Sequence, residues 1–105
     1  MTTYVISVPG TFTGTVGAGT RADLARALRP ADPHRTQMGA EEDLDVLTVN
    51  DDNTFTIRLT VEADSGPHAE QGAKHLADGA LRAAGLDEST APLGPAVITG
   101  IDSDL

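Results

Sequence analysis

Four glycines lie within the stretch from Pro9 to Arg21, PGTFTGTVGAGTR, and no other segment of the sequence is as well suited to bind a ligand. Backbone N–H groups of a glycine-rich turn at the start of a helix can hold an anion, because they point from the positive end of the helix dipole. An arginine directly after the glycines can add two parallel hydrogen bonds to a carboxylate or phosphate. We therefore predict a candidate anion loop within residues 10–21, formed by Gly14, Gly17, Gly19, Thr20 and Arg21.

The named nucleotide-binding motifs do not match this loop. Gly14 and Gly19 have the spacing of a phosphate loop, but Thr20-Arg21 stands where that motif has a lysine and a hydroxyl residue. The dinucleotide fingerprint Gly-x-Gly-x-x-Gly has its spacings in the opposite order. A mobile connection of about ten residues, in which the glycines only permit bends, is the competing interpretation.

The other chemistry-bearing residues form no catalytic or metal-binding pattern. His68 and His75 are separated by about 10 Å along a helix, too far apart to hold one ion, so we expect them on a solvated helix face. His34 lies in a proline-rich connection. Three acidic clusters, none of which fits the twelve-residue calcium loop, are found at residues 41–45, 51–52 and 102–104. We expect no metal, no cofactor and no assignable catalytic residue.

Composition limits the classes of partner. The chain has 105 residues, no cysteine and a formal net charge of −9, so it is expected to form a single domain over residues 1–105 and to repel nucleic acid. Four of its seven basic residues lie within the first 40 positions, mostly just after the glycines. The sequence contains no apolar run long enough for a signal peptide or a membrane span. These features predict a soluble, cytoplasmic protein without a membrane or nucleic-acid partner.

The hydrophobic pattern predicts six elements that position these residues. Strands are expected at 3–8, 44–49, 54–62 and 96–102, and helices at 20–29 and 67–84. This βαββαβ order predicts an α+β, ferredoxin-like sandwich, with a four-stranded antiparallel sheet and both helices on one face. Connections are expected at 30–43 and 86–95. A rival arrangement pairs residues 3–8 with 11–16 in a hairpin about Pro9-Gly10.

Several local features support these elements. Thr20 is predicted to cap the first helix together with Asp23, and Gly85 to end the second helix in the left-handed conformation. Gly72 and Gly79 weaken the second helix, and close packing against the sheet would explain both. The apolar stripe predicted to face the sheet consists of Ala69, Ala73, Leu76, Ala77, Ala80 and Ala84.

Strand 54–62 alternates so that its polar side chains, among them Thr56, Arg58 and Thr60, face away from the helices. Threonines and one arginine are not an aromatic stacking platform for RNA. A hydrated face, with Arg58 paired to an acid such as Glu62 or to a hairpin neighbour, is one interpretation of this surface. A homodimer through the open sheet face, or a small ligand anchored by Arg58, is the other.

The place of the glycine loop, between the first strand and the first helix, resembles that of the phosphate loop of acylphosphatases. The resemblance implies an arginine that holds phosphate, which would be Arg21, and an asparagine that orients water, which would be Asn50 or Asn53. The family's Gly-x-Val-x-Gly-Val-x-x-Arg loop is absent. We expect a non-catalytic module that binds a small anion or a protein partner. The alternatives are an acylphosphatase-like hydrolase and a dimeric α+β-barrel enzyme.

Overall fold

The computed structural model describes residues 2–14, 16–29 and 46–102 of the chain. The elements in these ranges are β1 (Thr2–Thr11), α1 (Ala18–Leu28), β2 (Leu47–Val49), β3 (Thr54–Ala63), α2 (Gly66–Ala83) and β4 (Val97–Asp102). The predicted connection at 30–43, His34, the acidic cluster at 41–45 and the end of the cluster at 102–104 lie outside the described residues.

The four strands form one antiparallel sheet in the order β2-β3-β1-β4, and with the two helices they make the α+β class predicted from the sequence. β1 and β3 are the central strands. They pair along their full length, from Thr2 opposite Ala63 to Thr11 opposite Thr54. The outer strands are shorter, with β2 beside β3 and β4 beside β1.

The rival hairpin about Pro9-Gly10 is wrong, because both residues continue β1. Pro9 lies opposite Thr56 of β3, and its carbonyl accepts a hydrogen bond from the N–H of Gly94 at 2.7 Å. The N and O atoms of one residue point to the same side of an antiparallel strand, so the missing N–H of Pro9 faces the Gly94 side. Regular pairing with β4 has already ended there, at Ser7, and a central strand can therefore contain this proline.

The core lies between the helices and one face of the sheet. Phe55, Ile57 and Leu59 of β3 are buried as the alternation predicts, and Ile6 and Val8 of β1 pack beside them. The helices contribute Leu24 and Leu28 from α1 and Ala69, Ala73, Ala77, Ala80 and Leu81 from α2.

Two details of the predicted helix faces are wrong. Ala27 of α1, whose spacing from Leu24 and Leu28 predicts a place on the buried face, is exposed. Leu76 of α2 is exposed as well, with 46% of its surface accessible. The buried face of α2 is centred near Ala77, which places Leu76 at its edge and brings Leu81 into the core instead.

The ends of α2 agree with the local signals in the sequence. Ser65 caps the first turn, where its Oγ accepts from the N–H of His68 at 3.4 Å, and Pro67 lies within that turn. At the other end Gly85 has φ of +83°, and the N–H of Leu86 donates to the carbonyl of Leu81 at 2.8 Å. This is the left-handed cap that the sequence predicts. In the described part of the chain, neither helix combines the length and apolar character needed to cross a membrane.

Candidate functional site

The predicted anion loop is divided between a short link and a helix. The link spans residues 12–17, shorter than the predicted connection of about ten residues, because β1 continues to Thr11 and α1 begins at Ala18. Thr20 and Arg21 therefore lie in the first turns of α1. The prediction that Thr20 caps this helix is wrong, since Gly17 occupies the cap position and has no side chain with which to cap the turn. Arg21 is exposed, and its N–H donates to the carbonyl of Gly17 at 3.1 Å.

The glycines of this loop are not required by tight packing. A Cβ added to Gly14, Gly17 or Gly19 would meet no atom within 4 Å, and none of the three has positive φ. Alanine would therefore fit at each position without strain in this conformation. Anion binding at these residues stays a prediction, supported by Arg21 and by first-turn N–H groups of α1 that have no partner among the described residues.

Residues 87–94, predicted as an irregular loop, are tied to the end of β1. The N–H groups of Thr11 and Thr13 donate to the carbonyls of Pro92 and Thr90 at 3.1 and 3.0 Å, and Gly10 forms an isolated bridge with Leu93. The hydroxyl of Thr13 also donates to the carbonyl of Ser89 at 3.0 Å. This 87–94 segment therefore extends the sheet beyond the start of β4, and cavities lie on both of its sides.

Asp87 shapes the start of the 87–94 segment. Its Oδ1 accepts hydrogen bonds from the hydroxyl of Ser89 at 2.6 Å, from the Ser89 N–H at 2.9 Å and from the Thr90 N–H at 3.1 Å. These bonds, of which that from the Ser89 hydroxyl has the largest effect, stabilise the charged carboxylate and lower the pKa of Asp87. The turn fixes the direction in which the intervening residue, Glu88, leaves the backbone.

The first cavity, which we call the sheet pocket, lies where β1, β3 and the 87–94 segment meet. It has a volume of about 470 Å³ and is lined by residues 9–11, 54–56 and 92–94. Thr11, Thr54 and Thr56 have the register positions of the open sheet face and bring hydroxyl groups to it. The sequence pattern indicates Thr56 but not residues 92–94, whose proximity arises only when the 87–94 segment pairs with β1.

Arg58 lies on the open face, opposite Ser7 and two residues along β3 from Thr56 of the sheet pocket. It is half-buried, and its Nη1 donates to Thr48 Oγ1 of β2 at 2.9 Å. Thr48 is directly opposite Thr56, so the guanidinium lies beside the pocket-lining threonine. Within the described residues no carboxylate forms an ion pair with Arg58, so the predicted pairing with Glu62 is wrong. The hairpin neighbour supplies a hydroxyl instead.

The open face is less exposed than predicted. Thr56 and Thr60 are half-buried like Arg58, and Val5, which has the register position of this face opposite Thr60, is completely buried. Glu62 is exposed. The face is thus a partly covered surface rather than a fully hydrated one.

The hairpin turn uses the two asparagines to which the acylphosphatase resemblance gives a role. Asn50 Nδ2 donates to Thr54 Oγ1 at 2.9 Å, and that hydroxyl donates to Asp52 Oδ1 at 2.5 Å. The hydrogen bond from the Thr54 hydroxyl is the main cause of the lowered pKa of Asp52. Asn53 has φ of +67°, and its carbonyl accepts from the N–H of Phe12 at 2.8 Å. In the structure both asparagines stabilise the turn.

The second cavity, which we call the helix pocket, lies between α2 and the other side of the 87–94 segment. It has a volume of about 640 Å³ and is lined by Gln71, Lys74, His75 and Asp78 of α2 and by Glu88, Ala91, Pro92 and Leu93. His68 and His75 are exposed, as predicted. Among the described residues no group of histidine, aspartate and glutamate has the geometry of a metal site. The helical pattern predicts a solvated face here and gives no sign of the pocket.

Comparison of the chain with protein-family models, with curated proteins and with solved structures finds no match. The function therefore has to be argued from the two cavities and from the groups that line them.

Proposed function

We propose that the chain is a non-catalytic binding module of ferredoxin-like topology that holds a small anion at the sheet pocket, with Arg58 as the anchor. The strand order β2-β3-β1-β4, with a helix following β1 and another following β3, supports that topology. The observation that carries the ligand proposal is the half-buried guanidinium of Arg58, which has one hydroxyl partner among the described residues and lies beside a cavity.

A half-buried guanidinium with one neutral partner favours an anion. Arginine has five N–H donors, and the bond to Thr48 uses one of them. A carboxylate or phosphate can take two more in parallel, and this pairing is stronger than hydrogen bonds between neutral groups. The hydroxyls of Thr11 and Thr56 can add neutral donors from the pocket wall, whereas the hydroxyl of Thr54 is already donated to Asp52.

The glycine loop is the second candidate anion site. Gly17 has no side chain with which to cap the first turn of α1, so the N–H groups of Gly19 and Thr20 are available to an anion, with Arg21 one residue further on. Catalysis by an acylphosphatase-like mechanism at this loop is the enzyme alternative.

A protein partner on the open sheet face is the other alternative, either a second copy of the chain or a different protein. Val97 of β4 is 52% exposed and lies opposite Ser7, on the face that carries Arg58. A dimer of this kind, including a dimeric α+β-barrel enzyme, would bury Val97 and close the sheet pocket.

The test is a titration of ¹⁵N-labelled protein with phosphate, citrate and acetyl phosphate, followed by amide shifts. We expect shifts at residues 10–11, 54–58 and 93–94 that are lost in Arg58→Gln and kept in Arg82→Gln, whose exposed side chain is paired with Asp78 at 3.2 Å. Shifts confined to residues 16–21 and lost in Arg21→Gln would move the site to the glycine loop. Absence of any shift would overturn anion binding.

Two further measurements separate the alternatives. Hydrolysis of acetyl phosphate that is lost in Arg21→Ala would establish the hydrolase. Sedimentation of a dimer that Val97→Asp dissociates would establish the open face as an interface between copies. The binding module that we propose predicts no turnover and a monomer.

A further inference from the structure

The helix pocket carries a cation on one wall and an anion on another, and neither has an ionic partner within the described part of the chain. Lys74 projects from α2 and is the only lysine of the chain, whereas Glu88 belongs to the 87–94 segment. They do not form an ion pair with each other, and among the described residues neither has a hydrogen-bonding or ionic partner. Asp78, the other carboxylate in the wall, already pairs with Arg82 at 3.2 Å.

The wall between these charges is apolar and held in place. Ala91 is 1% exposed and Leu93 is half-buried, and both line the cavity together with Pro92. The backbone of this wall is bonded to β1 through the carbonyl of Pro92, and Glu88 leaves from the turn that Asp87 stabilises. The two charges are therefore presented from supports that do not need to rearrange when a ligand enters.

We propose that the helix pocket binds a small zwitterion of the amino-acid type with an apolar side chain. Its carboxylate would pair with Lys74, its ammonium group with Glu88, and its side chain would lie against Ala91 and Leu93. This site is distinct from the sheet pocket, which lies on the other side of the 87–94 segment, and does not depend on it.

The balance of charge selects this ligand class over simpler ions. A simple anion attracted by Lys74 would be repelled by Glu88, and a simple cation attracted by Glu88 would be repelled by Lys74. A zwitterion satisfies both groups and adds no net charge to a chain that already carries −9. The carboxylate, the ammonium group and the apolar side chain of such a ligand would together fix its orientation. Small-molecule pockets commonly work in this way, with a few polar groups placed around an apolar wall.

The test uses the full chain and three probes: L-leucine, N-acetyl-L-leucine, which lacks the ammonium charge, and L-leucinamide, which lacks the carboxylate. Affinities are measured by calorimetry, and the site is located from amide shifts at residues 71–78, 88–91 and 93. The side-chain signals of Lys74 are a direct reporter, because no other lysine overlaps them. We expect leucine to bind at least fivefold more tightly than either analogue and to shift the Lys74 signals.

Variants connect binding to the two charges. Lys74→Met and Glu88→Gln are each expected to weaken leucine binding at least fivefold, whereas Glu70→Gln on the same helix, outside the pocket, should leave it unchanged. Lys74 and Glu88 are both exposed, so their substitution should preserve folding, and the amide spectrum of each variant checks this. Equal affinity for leucine and N-acetyl-leucine, or no shift with millimolar leucine, would overturn the proposal.

Discussion

Gly10 is the glycine on which the packing of the core depends most directly. It lies opposite Phe55 in the register of β1 and β3, and a Cβ at this position would lie 2.2 Å from Phe55 Cζ. The ring of Phe55 therefore crosses β1 where Gly10 has no side chain, and stacks on Phe12 with a centroid distance of 4.4 Å. Two of the three aromatic residues of the chain are packed in this way.

Gly10→Ala is accordingly expected to destabilise the fold by about 2 kcal/mol, because the ring must move out of its packed position. The measurement is urea unfolding, followed by circular dichroism. Gly14→Ala is the matched control, with open space around its Cβ, and should change the free energy of unfolding by less than about 0.5 kcal/mol. Equal effects of the two substitutions would contradict the packing described for Phe55.

At the scale of the elements, the two glycines inside α2, Gly72 and Gly79, have different surroundings. A Cβ on Gly72 would lie 3.3 Å from Val61 Cγ1 of β3, so the predicted close approach to the sheet holds for this residue. Gly79 has no atom within 4 Å of an added Cβ and is exposed, so close packing is the wrong explanation for it. Nothing in the structure explains Gly79.

Gly79→Ala is therefore expected to stabilise the protein by about 1 kcal/mol, the difference in helix propensity between the two residues. Gly72→Ala should give a smaller gain, because Val61 must shift to accept the new methyl group. Thermal unfolding of the two variants beside the parent chain measures both effects. If Gly72→Ala stabilised the protein more than Gly79→Ala does, the short distance to Val61 would not be limiting the packing of α2 against β3.

The elements that the sequence predicted well are those defined by local signals. Alternation over 54–62 was sufficient for β3, and Gly85 marked the end of α2. The continuation of β1 through Pro9-Gly10 could not be predicted in this way, because it depends on pairing with residues 54–56 of β3 and with residues 89–94, both far away in sequence. The helix pocket was missed for the same reason, since Lys74 and Glu88 face each other only after the 87–94 segment has joined the sheet.

At the scale of the whole molecule, acidic residues far outnumber basic ones. The formal net charge of −9 opposes compaction, because like charges are brought closer together in the folded state. The two ion pairs within the described residues, Arg26 with Asp23 and Arg82 with Asp78, are local helical pairs that add little to stability.

Added salt should therefore stabilise the protein by screening this repulsion. Between 10 and 200 mM sodium chloride at pH 7 we expect the midpoint of thermal unfolding to rise by about 4 °C, which corresponds to roughly 1 kcal/mol for a domain of this size. Near pH 4.5 the carboxylates begin to take up protons, and the same salt series should have a smaller effect. A midpoint that falls with salt at pH 7 would mean that attractive pairs outweigh the repulsion.

The central position of β1 also determines the order in which the chain can assemble. β1 precedes both of its neighbours in the chain, since β3 begins at Thr54 and β4 at Val97. During synthesis one edge of β1 therefore stays open until β3 has emerged, and the other stays open until β4 has emerged. Folding should then be slow for so small a protein, on a timescale of about milliseconds to seconds, since distant segments must meet before the sheet is complete.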